Sequence, residues 1–393
     1  MLNDRTDYPT TPVRQALRSL LFRTGLTRHL GPRWWKPLDA APCLTTMAER
    51  RTPMFDGMPY AFDDADFSAH ARRESRRWGE FRETIIAADG VVVEPNRCQV
   101  IGPNGRLISP FNPHRGLHVY PSAWQYQGRR IAHRPDQAIV FDGSAGRNLY
   151  HFIVDSLMAL AWLEEEPGLL PRGLPLVVNR RIADHAFFRH LRSRSSWFDQ
   201  LPWLVLEPGE FGAVGRAYHV RAAPFREELW RRVRSWYGAV SEPKGRRLFV
   251  SRDSKRFGRG VRNEAQVAEL LREYGFETVY AEHLGLAEQQ ATFEEAEHLV
   301  GLHGMALVQQ IFMPFGEGSL LELMPCDRPQ LEYVWTSWVL KRHGYDVLVG
   351  SKLDSAMAYE VDPVQLRTKL EGMLALAPAE RKFGTTLLPR VSA

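Results

Sequence analysis

The sequence predicts a mixed α/β protein with two doubly wound domains, and three observations lead to this prediction. Its 393 residues exceed the length at which one hydrophobic core usually stops growing, so two domains are expected. Short apolar runs alternate with helix-patterned segments, which is typical of α/β sheets. The 44% hydrophobic and 25% charged residues match an ordinary globular composition.

The predicted elements divide the chain into four parts. Residues 1–80 are expected to form a partly helical N-terminal extension, and residues 81–224 a first α/β domain. Residues 225–350 are expected to form a second α/β domain, and residues 351–393 a C-terminal helix and tail. We expect this helix to return to the first domain, and the two domains to face each other across a cleft.

In the first half, a strand-like pattern runs from about residue 82 to 140. The buried-strand run Ala138–Phe141 leads through a glycine-containing turn into a helix-patterned stretch that begins at Asn148. Strand patterns return at 176–178 and 203–206, with a helical stretch between them. This half therefore alternates β and α elements.

The second half follows the same alternation more regularly. The predicted order is strand 247–251, helix 263–274, strand 277–280, helix 286–297, strand 298–301, helix 304–312, strand 319–323, helix 330–342, strand 346–349 and helix 363–375. Such an order is typical of a doubly wound, nucleotide-binding sheet.

Composition excludes several classes of protein. The formal charge of +5 comes mostly from arginine, but no base-reading helix or aromatic stacking motif accompanies it, so nucleic acid is not an expected partner. Three widely separated cysteines, Cys43, Cys98 and Cys326, indicate neither a disulfide framework nor a metal site. We expect a cytoplasmic protein, because no signal-peptide core or bilayer-spanning apolar run is visible.

Residues 12–36 allow two interpretations. Their apolar residues recur at helical spacing among arginines, followed by Trp34 and Trp35, which resembles a basic segment lying on an anionic membrane surface at its inner face. Alternatively the segment is a helix packed on its own domain, because Gly25, Gly31 and Pro32 interrupt a long interfacial helix.

A turn that suits phosphate follows the predicted strand 298–301. Gly301, His303 and Gly304 lie between this strand and a helix start, where backbone N–H groups and the positive helix end attract phosphate oxygens. His303 would add a hydrogen bond, and Gly304 would let the ligand approach the backbone. The alternative is a structural helix-entry turn.

Arginines gather after the predicted strand 247–251. The strand ends in Ser251 and Arg252, and Arg256 and Arg262 lie in the glycine-rich stretch that follows. Guanidinium groups at a cleft edge would neutralise a diphosphate leaving group as its charge develops. A solvated arginine loop is the alternative.

One acid stands inside the apolar strand 319–323. Glu322 lies near the carboxyl end of this strand, where open α/β sheets bind ligands, so it is a candidate to accept hydrogen bonds from ribose hydroxyls. The alternative is a strand-end carboxylate paired with an arginine.

The helix after Ala138–Phe141 carries candidate catalytic residues. Asn148, His151 and Asp155 fall along one helical face, so His151 and Asp155 would form an oriented pair. An imidazole held by a carboxylate can take a proton from an attacking hydroxyl. The alternative is a cap and a His–Asp bond that lock the helix on its sheet. Peptidase, P-loop, hydrolase-elbow and common dehydrogenase motifs do not occur.

These motifs together resemble glycosyltransferase family 61. The resemblance is carried by the Asn148–Asp155 helix, Ser251-Arg252, Arg262-Asn263-Glu264, Gln289, the Gly301–Gly304 turn and the Leu321-Glu322-Leu323 strand, within residues 95–325. It implies a GT-B-like pair of Rossmann-type domains and an inverting transfer from a nucleotide sugar, usually UDP-linked, without a required metal or other cofactor. It also implies a bacterial member that builds capsule, lipopolysaccharide or another surface glycan.

On this basis, Asn148, Arg252, Arg256, Arg262 and His303 are expected to bind the donor, together with Ser251, Gly301, Gly304 and Glu322. His151 or Asp155 is expected to activate a hydroxyl of a glycan or glycolipid acceptor. The alternative function is a non-catalytic nucleotide-sugar-binding protein or partner subunit with the same fold.

Overall fold

The computed structural model describes residues 43–53, 57–78, 80–103, 108, 130–141, 148–239, 244–253, 260–376 and 380–389. The segment 12–36, on which the predicted membrane contact depends, and Arg256 lie outside the described residues.

Seventeen strands are assigned within the described residues. They are β1 Leu44–Pro53, β2 Glu80–Val93, β3 Val100–Ile101, β4 Arg130–His133, β5 Gln137–Val140, β6 Leu176–Asn179, β7 Trp203–Leu206, β8 Glu210–Arg221, β9 Arg246–Ser251, β10 Gly260–Val261, β11 Phe276–Tyr280, β12 Ala296–Leu302, β13 Ser319–Pro325, β14 Gly344–Gly350, β15 Ala358–Tyr359, β16 Glu380–Phe383 and β17 Thr386–Pro389.

The helices lie mostly between these strands. They are α1 Ala65–Trp78; α2, which joins an α-helical turn Leu149–His151, a π-helical stretch Phe152–Leu157 and an α-helix Met158–Glu165; α3 Arg180–Ala183; α4 Ala186–Arg194; α5 Ser196–Asp199; α6 Glu227–Trp236; α7 Glu264–Glu273; α8 Leu286–Glu294; α9 Glu332–Val339; and α10 Pro363–Leu374. Two 3₁₀-helices cover Ala281–His283 and Met305–Phe312.

The first sheet has the strand order β1-β2-β8-β5-β6-β7, with β3 paired to β2 and β4 paired to β8. The β1-β2-β8 part is antiparallel, and the β8-β5-β6-β7 part is parallel. From β5 the chain moves outward through β6 and β7 and then returns to the other side of β5 as β8. The carboxyl ends of β5 and β8 therefore form a topological switch point, the usual ligand position in open α/β sheets.

The second sheet has the order β11-β9-β12-β13-β14-β16-β17, and only its last pair is antiparallel. The chain passes from β9 to β11 on one side and then to β12 on the other. A second switch point therefore lies between the carboxyl ends of β9 and β12. The predicted alternation of strands and helices is confirmed throughout this half.

The elements between and around the sheets share one apolar core. A single buried cluster joins Phe152 and Trp162 of α2 with Trp230 of α6 and with Leu307 and Phe312 of the second half. Helix α6 is tied to α2 through the ion pair of Arg232 with Glu164. The carboxyl-edge elements of the two sheets are consequently held in contact.

The predicted position of the C-terminal helix is wrong. Leu366, Leu370 and Met373 of α10 pack with residues of the second sheet such as Leu321, not with the first domain. The helix has this place because β13 and β14 leave an apolar face that α10 covers. After α10 the chain adds β16 and β17 to the same sheet. The recorded contact of α10 with the N-terminal part of the chain is polar, since Asp63 accepts from Lys369 of α10 at 2.7 Å.

The residues before 81 contribute to the first sheet. β1 pairs antiparallel with β2 from Leu44 opposite Ala88 to Pro53 opposite Glu80. Helix α1 follows, and its Phe67 and Ala71 are buried in the shared core. The sheet therefore begins well before the predicted boundary.

Candidate active site

Arg252 and His303 meet at the switch point of the second sheet. Each follows the last residue of its strand, β9 or β12, and these strands are parallel neighbours. Arg252 donates from Nη2 to the His303 carbonyl at 3.3 Å, and the His303 N–H donates to the Leu323 carbonyl at 2.9 Å. The sheet topology therefore brings together two residues that are separated by 51 positions along the chain.

His303 is held by a buried carboxylate. Its Nδ1 lies 2.5 Å from Glu322 Oε1, and the second oxygen, Oε2, accepts from the Tyr345 hydroxyl at 2.7 Å. Glu322 is fully buried, whereas 19% of the His303 side chain is exposed. Both oxygens of Glu322 therefore have partners inside the protein, and the role of Glu322 in binding ribose hydroxyls stays a prediction. Glu322 fixes the orientation of the His303 ring.

The surroundings of His303 also set its charge. Burial by itself lowers the pKa of His303, but the Glu322 and Glu332 carboxylates more than offset this effect, so the pKa lies above the ordinary imidazole value. The ring therefore carries a positive charge over a wider pH range than a free histidine.

This shift predicts a pH-dependent stability. A folded-state pKa above the unfolded value of about 6.5 means that protonation stabilises the fold fully below that pH, and that this stabilisation is lost as pH rises through the folded pKa. We expect the difference in free energy of unfolding between the wild type and His303→Gln to shrink as pH is raised through this range. Urea unfolding at a series of pH values measures this difference in free energy. A difference that is constant with pH would contradict the raised pKa of His303.

The glycines of this turn are explained by packing inside the protein. A Cβ at position 304 would overlap the guanidinium of Arg252, and one at position 301 would lie 2.5 Å from Leu307 Cδ2. The φ of Gly304 is 162°, an extended conformation open to any residue, so the lack of a side chain is what matters. The sequence predicts that Gly304 makes room for a ligand. In the structure, the Arg252 guanidinium occupies that space.

Asn148 begins helix α2 as its N-cap. Its Oδ1 accepts from the Tyr150 N–H at 2.9 Å, which satisfies a backbone donor in the first turn. The side-chain oxygen is therefore engaged in the helix as a cap, and the contact of Asn148 with the donor stays a prediction.

His151 and Asp155 form a pair at the point where α2 becomes a π-helix. His151 Nδ1 and Asp155 Oδ2 are 2.9 Å apart, and the side chains are 31% and 29% exposed. The π-helical stretch Phe152–Leu157 follows directly, and such stretches often occur at functional sites. The pair lies beyond the carboxyl end of β5, at the switch point of the first sheet, and its exposure leaves it accessible to a substrate.

Asp155 also lines a hollow between α2 and the first sheet. The polar members of its lining are Asp155, Ser156 and His219, and apolar residues of β5, β8 and α2 complete it. His219 of β8 is buried, so this side of the pair faces the protein interior.

Aromatic rings connect the two switch points. The Leu149 N–H donates to Met305 Sδ at 3.1 Å, which brings the start of α2 onto the 3₁₀-helix Met305–Phe312. The ring centroids of Tyr150 and Tyr333 are 5.8 Å apart, and those of Tyr333 and His303 are 5.4 Å apart. The Tyr333 hydroxyl donates to the Gly304 carbonyl at 2.6 Å. The start of the His151 helix and the His303 turn are therefore in contact through these side chains.

Three predicted donor residues have other surroundings. Ser251 is buried and donates to Glu264 Oε1 at 2.6 Å. Arg262 is 53% exposed and pairs with Asp354 at 2.6 Å and Glu360 at 3.5 Å, on the side of β10 and β15. Gly301 is buried within β12. The structure therefore does not bring these residues together with Arg252 and His303 at the open surface.

Sequence reasoning missed the acidic and aromatic residues around His303. Tyr333 and Glu332 begin α9, and Tyr345 lies in β14. One oxygen of Glu332, Oε2, is buried without a hydrogen-bond partner among the described residues. Nothing in the local pattern distinguishes these residues from an ordinary apolar helix and strand, so only the fold could reveal them.

Comparisons with known proteins bear on the whole arrangement. A search of the curated proteins finds no match. Among the described residues, no helix has the length and apolar character needed to cross a bilayer. The family model described as Glycosyltransferase 61 matches residues 149–320, a range that begins at α2 and ends in β13. This range contains His151, Asp155, Arg252 and His303, and a match to this family indicates glycosyl transfer between a sugar donor and an acceptor in general. Residues 149–320 thus carry a domain of the glycosyltransferase 61 family.

Proposed function

We propose that this protein is an inverting glycosyltransferase that moves a sugar from a nucleotide sugar, UDP-linked, to a hydroxyl of a glycan or glycolipid. Following the family resemblance, the proposal places it in bacterial surface polysaccharide synthesis, at the cytoplasmic face of the membrane. Each sheet would be one domain of a GT-B-like pair with a boundary near residue 225. The observation that supports it best is the row of aromatic rings, Tyr150 and Tyr333, that links two histidine–carboxylate pairs, one at each switch point.

The second sheet would hold the donor diphosphate. The Arg252 guanidinium and the protonated His303 ring supply positive charge, and the 3₁₀-helix that starts at Met305 adds its positive end. Their charge would stabilise the diphosphate as it leaves, which is the contribution that a leaving group of this kind requires. No step in this proposal needs a metal ion.

The first sheet would supply the base. The acceptor oxygen attacks the anomeric carbon while the bond from that carbon to the phosphate oxygen breaks, and the electron pair leaves with the diphosphate. The hydroxyl proton passes to His151 Nε2, while Asp155 holds Nδ1. Because direct displacement places the base opposite the leaving group, a residue from the other sheet suits this role.

Unfolding temperatures measured with a panel of nucleotide sugars, in buffer that contains EDTA, test the proposal. At about 100 times its dissociation constant, the true donor should add about 2.7 kcal/mol of stability. Radiolabel transfer to glycan and glycolipid acceptors then follows with that donor. Stabilisation without transfer would favour the non-catalytic binding protein, and no stabilisation by any nucleotide sugar would contradict both functions.

Gly304→Ala offers a direct test of the donor side. The new methyl group should displace the Arg252 guanidinium and remove one charge-assisted hydrogen bond, so nucleotide affinity should fall about 10-fold. The fold should survive, because the displaced group is the end of a flexible side chain. Gly168→Ala is the control, since a Cβ there meets nothing within 4 Å. Equal nucleotide affinity in both variants would be the contrary result.

A further inference from the structure

Three arginines gather at the amino-terminal edge of the second sheet, opposite to the proposed donor site. Arg342 precedes β14 and is fully buried, and Arg381 in β16 is 4% exposed. Arg234 of α6 reaches the same region, where its Nη2 donates to the Phe312 carbonyl at 3.4 Å. Buried positive charges are normally paired with carboxylates, so this concentration requires an explanation.

Only one side of the Arg342 guanidinium is used. Nη1 donates to the carbonyls of Pro314, at 3.0 Å, and Glu317, at 2.6 Å. Nε and Nη2 are buried and have no hydrogen-bond partner in the described part of the chain. These two atoms form the edge with which arginine binds two oxygens of an oxyanion, or a single halide, in a fork.

Three hydrogen-bond donors near Arg342 are also left without an acceptor in the part of the chain that the structure describes. Arg234 Nε, Gln310 Nε2 and the Tyr237 hydroxyl are also buried without a partner among the described residues. Gln310 is linked to the region because its Oε1 accepts from Ser337, and Tyr237 because its ring lies 5.1 Å from that of Phe312. All of these atoms can donate a hydrogen bond, so the cluster has more donors than acceptors among the described residues.

The backbone holds Arg342 in this position. Helix α9 ends in a Schellman motif, with Lys341 N–H to the Trp338 carbonyl at 3.0 Å and Arg342 N–H to the Ser337 carbonyl at 2.9 Å. Lys341 has a φ of 54°, a left-handed conformation that glycine usually supplies. Arg381 Nε donates to the Arg342 carbonyl at 2.8 Å and fixes the turn from the other side. The free edge of Arg342 is therefore pre-oriented.

Arg342 keeps its positive charge although its side chain is buried. Burial, followed by repulsion from Arg234 and Arg381, lowers the pKa of Arg342 to about 9, so the guanidinium is still positive at neutral pH. Glu317, whose carboxylate acts to raise the pKa of Arg342, has an exposed side chain.

We propose that the Nε–Nη2 edge of Arg342, with Arg234, Gln310 and Tyr237, binds a small inorganic anion. The anion would connect α6, the 3₁₀-helix Met305–Phe312 and the turn after α9. Because this 3₁₀-helix begins directly after His303 and Gly304, an occupied site would also steady the turn on which the proposed donor site depends. It is distinct from that site, and it would exist whether or not the protein transfers sugar.

Salt-dependent unfolding of the full chain tests this site. The protein is dialysed into a buffer of low ionic strength whose anions are bulky organic ions, and its unfolding temperature is followed against sodium bromide and, separately, sodium phosphate. We expect a saturable rise with at least one salt that is absent in Arg342→Lys, which keeps the charge and removes the forked edge. Arg367→Lys is the matched control, because Arg367 pairs with Glu273 at the surface, and it should keep the rise.

Crystals of the wild type grown in each salt make the test independent of how the variant folds. An anomalous bromide peak, or phosphate density, within hydrogen-bond distance of Arg342 Nε and Nη2 is the expected result and distinguishes a halide site from an oxyanion site. The proposal is overturned if only water or no density lies there in both salts, or if Arg342→Lys and the wild type respond identically.

Discussion

Replacing His151 with alanine is expected to lower the rate of sugar transfer by about 10²- to 10⁴-fold, the usual contribution of a positioned general base. The affinity for the donor nucleotide should be nearly unchanged, because the groups proposed to hold the diphosphate lie on the other sheet. Steady-state transfer kinetics and nucleotide titration on the same preparations separate the two quantities.

Asp155→Asn tests the positioning role in the same pair. The variant keeps the shape of the side chain but removes the charge that stabilises the protonated ring, so a smaller loss is expected than for His151→Ala. The two changes should not add, because a base and the group that orients it act as one unit. His133→Ala is the control. His133 of β4 is also a partly exposed histidine that lies beside a carboxylate, that of Glu210 in β8. Near-normal transfer rates in both His151→Ala and Asp155→Asn would show that the base lies elsewhere.

The alternation of apolar runs and helical patterns was sufficient to predict most of the parallel strands, but not β8, which lies at the centre of the first sheet. The strands β5, β6, β7 and β9 through β14 that the patterns predict differ from the structure by only a few residues at their ends, apart from the short β10. The packing partner of α10 was not predictable in this way. An amphipathic helix shows that it has an apolar face, but it does not show which sheet covers that face.

The candidate site shows the same limit at the level of single residues. Position in a strand correctly indicated that Arg252 and His303 would lie at a carboxyl edge, because parallel strands end together. It did not indicate that Glu322 would face inward to His303 and Tyr345, since this depends on neighbouring strands far apart in sequence. The π-helix after His151 was equally invisible, because one additional residue in a turn leaves no periodic signal.

Arg252→Ala is expected to have the second large effect, a loss of about 10²- to 10³-fold in kcat/KM for transfer. Arg252 lies beside His303 at the switch point of the second sheet, where a leaving diphosphate would gain most from a guanidinium. Nucleotide affinity should fall as well, because the same charge interacts with the phosphates before and after the transfer. This combined loss distinguishes Arg252→Ala from His151→Ala, which should change the rate alone.

Arg262→Ala is the matched control. Its outcome decides between the role predicted for Arg262 from the sequence and the position of Arg262 in the structure. Sequence reasoning placed both arginines at the donor phosphates, whereas in the structure Arg262 pairs with Asp354 and Glu360 at an exposed position. Exposed ion pairs contribute about 0–1 kcal/mol, so this variant should remain stable and nearly fully active. If Arg262→Ala instead loses as much activity as Arg252→Ala, the two arginines act together on the donor.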